Sequence, residues 1–165
     1  MIDPSKNAVW HNEKGMFYLE LKYYAAAIKE FRLAILLNPE SEVSATFYNN
    51  LGTAYYKINY LDNAEMSFAK AVELRPYYLE YRENLIKTYK EKEMLKEVAE
   101  KHKKIIIEDP KNIQSYLMLG LIQKNYGNNE YAMIYLNKFI ELTSDFRVSE
   151  QIKSIIKDLE AEKKQ

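Results

Sequence analysis

Few residues in this chain could do covalent or metal chemistry, and their spacing argues against it. The two histidines, His11 and His102, stand far apart in the sequence. A zinc site would need further thiolate or imidazole ligands, and the chain has no cysteine and no third histidine. Its four glycines do not gather into a phosphate-cradling loop. No serine, histidine and aspartate arrangement offers a nucleophile with its base. Carboxylates are plentiful at 24, but they mix with lysines along helical faces and leave no evident buried pair for acid–base work. The expectation is a protein without catalysis, cofactor or metal. What remains is amide chemistry. Asn50 and Asn84 stand 34 residues apart. A carboxamide carries both a donor and an acceptor, so it can pair with a peptide backbone without reading its side chains.

The elements that must position such amides recur with a fixed beat. Gly15, Gly52 and Gly120 are separated by 37 and 68 residues, the second interval being twice 34. Pro39, Pro76 and Pro110 are spaced by 37 and 34. Tyr18, Tyr55 and Tyr89 lie three residues after the glycine position, which Ile86 fills in the third period. Ala27, Ala64, Val98 and Ala132 lie twelve after it, and Phe31, Phe68, His102 and Leu136 sixteen after it. A period near 34 points to a repeat architecture. Within one period, Phe47, Leu51, Tyr55 and Ile58 form one helical stripe, and Leu61, Ala64, Phe68 and Ala71 another. Asn59 between them suits a left-handed turn, and Pro76 ends the second helix. A helix-interior glycine costs roughly 1 kcal/mol against alanine. Gly52 therefore reads as a packing glycine that lets two helices approach.

At this point the chain resembles the tetratricopeptide repeat family. Residues 45–78 carry its pattern as Tyr48, Leu51, Gly52, Tyr55, Ala64, Phe68, Ala71 and Pro76. The resemblance implies an all-α protein, a right-handed α-solenoid of antiparallel helix pairs. It divides residues 1–165 into one array of four repeats, 8–41, 45–78, 79–112 and 113–146. The first repeat departs from the pattern at His11 and Lys14, the third at Arg82, Ile86 and His102, the fourth at Gln123 and Ser144. Three extra residues before the second repeat are expected to lengthen the helix that starts near Ser41. Residues 147–163 read as an amphipathic capping helix with Val148, Ile152, Ile156 and Leu159 on its apolar face. Asp145 is its expected N-cap, and Asp3 followed by Pro4 that of the first helix.

The same resemblance implies that the first helices line a concave groove holding an extended peptide or a partner helix. Carried over, the groove positions are Asn12, Met16 and Leu19 in the first repeat, and Asn49, Asn50, Thr53, Tyr56 and Lys57 in the second. They are Glu83, Asn84, Lys87 and Lys90 in the third, and Leu117, Leu121 and Lys124 in the fourth. The leucines would take an apolar anchor. The chaperone-adaptor subtype needs cations that clamp a terminal carboxylate. Those positions hold Glu80 and Asn84 in one register, Gln114 and Met118 in the other, so that ligand is not expected. The expected function is a peptide-binding adaptor with a protein or peptide partner. The alternatives are a self-assembling homo-oligomeric scaffold and a secretion or pilus-assembly accessory protein.

Composition narrows the partners further. Lys+Arg and Asp+Glu balance at 24 each, so no net field draws the chain to nucleic acid. The basic run "KHKK" at 101–104 reads as a solvated helix face. Most of the fifteen tyrosines fall at repeat positions or helix joins, where packing explains them better than base stacking. No apolar run is long enough to insert in a membrane. The opening "MIDPSKNAVW" lacks a basic region followed by an apolar run. The expected place is therefore the cytoplasm, with the periplasm or a membrane anchor as the alternative if a signal segment has been trimmed.

Overall fold

The structure, a computed structural model, describes residues 4–162. Asp3, the expected cap of the first helix, lies outside the described residues. Among those described there are nine helices and no strand: α1 (Pro4–Glu20), α2 (Tyr24–Leu37), α3 (Glu42–Lys57), α4 (Leu61–Leu74), α5 (Leu79–Glu91), α6 (Leu95–Glu108), α7 (Ile113–Asn125), α8 (Asn129–Leu142) and α9 (Phe146–Glu162). They fall into two compact units, Met1–Lys92 and Glu93–Gln165. In the first, α1 packs on α2, α2 on α3, α3 on α4 and α4 on α5. In the second, α6 packs on α7, α7 on α8 and α8 on α9. Short connections between packed neighbours make helical hairpins, as the period requires.

Each first-to-second-helix turn is made the same way. Lys22, Asn59, Glu93 and Gly127 have φ of 63°, 61°, 58° and 74°, and each lies seven residues after the glycine position. The left-handed residue at Asn59 is the one the sequence suggested. The second helices end just before a proline in three cases, at Leu37, Leu74 and Glu108. α3 is 16 residues long against 13 for α5 and α7, so the three extra residues do lengthen it. Ser41 caps it in a capping box with Ser44.

Gly15, Gly52 and Gly120 are packing glycines. A Cβ on Gly15 would lie 2.6 Å from the Phe31 ring, one on Gly52 2.8 Å from the Phe68 ring, and one on Gly120 2.5 Å from Leu136. In every case the large side chain comes from the partner helix of the same hairpin. The core of the first unit is built on these rings. Phe31 packs with Ala27, Leu51 and Ala54, Phe47 with Ala8 and Ala34, and Tyr81 with Ala45 and Ala71.

Where the sequence departs from the pattern, polar groups replace the apolar contact. His11 and Lys14 converge on Glu30 of α2, with His11 Nδ1 2.7 Å from Oε2 and Lys14 Nζ 2.8 Å from Oε1. Glu30 is 6% exposed. Burial alone would raise its pKa, but the hydrogen bonds from Lys14 and His11 outweigh burial and hold it below the usual carboxylate range. Folded Glu30 thus binds its proton less readily than unfolded Glu30. Its stabilisation is present above the unfolded value of about 4.3 and is lost as pH falls through the depressed folded value. The wild type should therefore lose roughly 1–2 kcal/mol more than Glu30→Gln on acidification from pH 6 to about pH 3, read from urea midpoints. Parallel pH profiles would contradict the ion pair. Arg82, in a position usually aromatic, is 3% exposed and donates through Nε to the Pro76 carbonyl at 2.9 Å. Burial pulls its pKa down to about 10.

In the second unit α9 covers α8 with Val148, Ile152, Ile156 and Leu159, all buried. Asp145 Oδ1 accepts the backbone N–H of Arg147 at 2.9 Å and of Val148 at 3.2 Å, the expected N-cap.

Candidate functional site

The groove positions expected from sequence fall on α1, α3, α5 and α7. Those on α1, α3 and α5 belong to the first unit, and there the asparagines come together. Asn50 Nδ2 donates to Asn12 Oδ1 at 2.9 Å, and Asn84 Nδ2 donates to Asn49 Oδ1 at 2.9 Å. Each bond ties one first helix to the first helix of the neighbouring repeat. Asn12 and Asn49 are 7% and 6% exposed, whereas Asn50 and Asn84 are half-buried. A carboxamide has two donor hydrogens and two acceptor lone pairs. The rungs use one hydrogen each of Asn50 and Asn84, and leave their carbonyl oxygens to meet another donor.

Asn50 and Asn84 thus join neighbouring first helices, so removing them costs stability. The signal was present in the sequence. Asn12 to Asn50 is 38 residues and Asn49 to Asn84 is 35, in both cases the local period plus one. Reading a single register position, 50 against 84, hid that offset.

Around the amides the surface is mixed. Asn12 Nδ2 lies 3.8 Å from the Met16 sulfur, and Met16 is 43% exposed. Thr53 spends its hydroxyl hydrogen on the Asn49 carbonyl at 2.9 Å. Lys87 Nζ sits 5.0 Å from the Tyr56 ring centroid, a cation–π contact. Burial, then the carboxylate of Glu91 beside its hydroxyl, raise the Tyr56 phenol above its usual pKa. Lys57, Glu83, Lys87 and Lys90 are exposed. Leu19 packs instead against the Phe31 core cluster.

The fourth-repeat leucines are not surface groups. Leu117 is 0% and Leu121 3% exposed, so neither can take an apolar anchor; Lys124 is exposed. The reason is the composition of α7. "LMLGLIQ" is buried from Leu117 to Gln123, and a helix that is apolar on all sides is a core helix with no free face to offer.

Among the described residues no group of three His, Cys, Asp or Glu could hold a metal ion. His11 is engaged with Glu30, and His102 Nδ1 lies 2.9 Å from the Ser115 hydroxyl. No described helix is long and apolar enough to cross a membrane.

Helical hairpins with packing glycines, left-handed turns and rung-forming first helices define a helical-repeat interaction protein. The profile of the tetratricopeptide repeat matches residues 11–41, 45–78 and 113–146, more than half of the chain, and the chain belongs to that family. The profile passes over 79–112, the segment with Arg82, Ile86 and His102. The family is generally one of non-enzymatic protein–protein interaction modules. No curated protein sequence matches the chain. Among solved structures, that of MamA is 24% identical, covers 85% of this chain and 80% of its own, and has a TM-score of 0.54. That of YrrB, described as a TPR protein with an unusual peptide-binding site, is 22% identical over 89% of this chain and 74% of its own, with a TM-score of 0.50. The second TPR domain of human RPAP3, solved in complex with the HSP70 peptide SGPTIEEVD, is 21% identical over 73% of this chain and 98% of its own, at 0.54. These likenesses establish the fold, an all-α helical-repeat solenoid.

Proposed function

We propose that the face formed by α1, α3 and α5 binds an extended segment of a partner protein through its backbone. The observation that carries this reading is the pair of amide rungs. They fix the carboxamides of Asn50 and Asn84 in orientation, so their remaining oxygens and N–H groups are set before a ligand arrives. Preorganised donors and acceptors cost little further entropy on binding. A peptide unit is matched by an amide because each has one strong donor and one strong acceptor. Met16 on α1 offers an apolar contact at one end, and Lys87 and Lys90 on α5 offer cations at the other, with Lys57 on α3 between, so a segment with acidic residues toward one end is favoured. The RPAP3 domain, solved in complex with a peptide, is a precedent for peptide binding on this fold. Residues 79–112 are read here as a divergent third repeat, since α5 and α6 fall at its two expected helices.

The reading is tested with a peptide selected on the protein from a random display library. Each backbone amide of the peptide is N-methylated in turn, and each side chain separately replaced by alanine. One or two N-methylations should weaken binding by tenfold or more, about 1.4 kcal/mol, where the alanine replacement at the same residue has little effect. Tolerance of every N-methylation would exclude backbone reading.

A further inference from the structure

Two positions on each first helix face the helix that precedes it in the stack. They lie five residues before the glycine position and two after it. On α3 they are Phe47 and Ala54, 1% and 0% exposed, packed with Ala34 and with Ala27 of α2. On α5 they are Tyr81 and Thr88, 3% and 0% exposed, with Tyr81 against Ala71 of α4. In the second unit Ser115 and Ile122 of α7 are 1% and 0% exposed, and Ser149 and Ile156 of α9 are 9% and 8% exposed. On α1 the same positions carry Trp10 and Phe17, which are 54% and 57% exposed. Each is bulkier than its counterparts at the same position, and no described helix covers it. Val9 and Met16 extend the patch at 40% and 43%. Lys14 Nζ lies 5.0 Å from the Trp10 ring centroid, and the His11 ring meets it edge-on at 4.8 Å, so the indole is held in place. α1 thus continues, in repeat register, an interface that every later first helix uses to receive a helix.

The sequence of that face fits another copy of itself. Starting at Lys6, the exposed stripe continues through Val9, Trp10 and Glu13 to Met16, Phe17 and Glu20, with steps that read the same in both directions about Glu13. We propose that α1 packs antiparallel on α1 of a second copy of this chain, about a two-fold axis at Glu13. Val9 then meets the second copy's Phe17, and Trp10 meets its Met16. Lys6 meets Glu20 at both ends of the contact, which gives charge complementarity twice over. Consecutive helices of the stack pack in the same antiparallel sense. The two Glu13 carboxylates face one another on the axis and weaken the pairing at neutral pH. The contact shares Met16 with the proposed groove but leaves Asn50 and Asn84 on α3 and α5 outside it, and its test variants at Lys6, Glu13, Phe17 and Glu20 touch no groove residue, so the two tests stand apart.

Trp10 is the sole tryptophan, so its emission reports burial of this face directly. Sedimentation equilibrium and fluorescence are measured on the same samples across concentration. The expected result is a monomer–dimer equilibrium with a blue shift of emission that follows the dimer fraction. Lys6→Glu alone and Glu20→Lys alone should each weaken the dimer roughly tenfold, because two symmetric attractions become repulsions, and the two together should restore it. Glu13→Gln should tighten it. Phe17→Ser should weaken it at least tenfold through lost apolar burial. All four positions are exposed in the monomer, so each variant keeps its melting temperature as a monomer. A protein that stays monomeric at the highest concentrations overturns the proposal. So does a dimer with unshifted emission, or one that the charge swap fails to restore.

Discussion

Gly52→Leu is expected to destabilise the protein by about 3 kcal/mol, at the top of the overpacking range or beyond it. A Cβ alone would stand 2.8 Å from two carbons of the Phe68 ring, and leucine adds three more carbons. Phe68 has no room to withdraw. It is 2% exposed and fills the hairpin between α3 and α4. Either the ring leaves its rotamer or the helices separate, and both disturb packing at native density. Phe68→Ala alone should cost about 3–5 kcal/mol as a large-to-small change. The double variant Gly52→Leu with Phe68→Ala should cost clearly less than the two singles together, because the leucine occupies part of the space the ring leaves. Urea denaturation followed by circular dichroism reads all three. An unchanged midpoint for Gly52→Leu, or strict additivity in the double, would show that the helices are not in close contact through this glycine.

Ile152→Ala should be nearly as damaging, at about 2–5 kcal/mol. Ile152 is 0% exposed and sits at the centre of the α9 face that covers α8. Every contact it loses opens a cavity that the neighbouring Val148 and Ile156 cannot fill, since both are β-branched and stiff. Ile156→Asp probes the same face from its rim, where the isoleucine is 8% exposed. A carboxylate there must either be desolvated or drag α9 away from α8, so the melting temperature should fall. An unaltered melting temperature in both variants would mean that α9 is not held on α8 and is instead free to serve a partner.

The hairpin architecture was legible because its rules are local and repeat. A glycine opposite a phenylalanine sixteen residues on, an asparagine seven after that glycine, and a proline just past the end of α2, α4 and α6 all report geometry that backbone sterics impose. The extra length of α3 followed from the 37-residue interval alone. The cap at Asp145 followed from its place before an apolar stripe. What the sequence hid were contacts between residues that break the pattern. His11 and Lys14 were legible as misfits, but their shared partner Glu30 was not, because a carboxylate one residue before Phe31 resembles any solvated helix residue. Leu117 and Leu121 were misplaced for the opposite reason. Leu117 shares its repeat position with Asn12 and Asn49, which are buried too, and α7 is buried throughout Leu117–Gln123, so the core takes both leucines. The amide rungs lay one residue off the period, so comparing equivalent positions passed over them. Trp10 carried no sign of exposure, since the aromatic residues at its position in the next two repeats, Phe47 and Tyr81, are buried.

The central claim is that Asn50 and Asn84 hold a bound backbone, and the most direct measurement is calorimetry of the library-selected peptide against the Asn50→Ala, Asn84→Ala double variant. Each substitution also removes a rung, so the variant should lose about 1 kcal/mol per bond while remaining folded at the temperature of the titration, as its circular dichroism will report. The account predicts that affinity falls at least tenfold, by roughly 1–3 kcal/mol for each buried bond lost. A folded double variant that binds the peptide with undiminished affinity would contradict it.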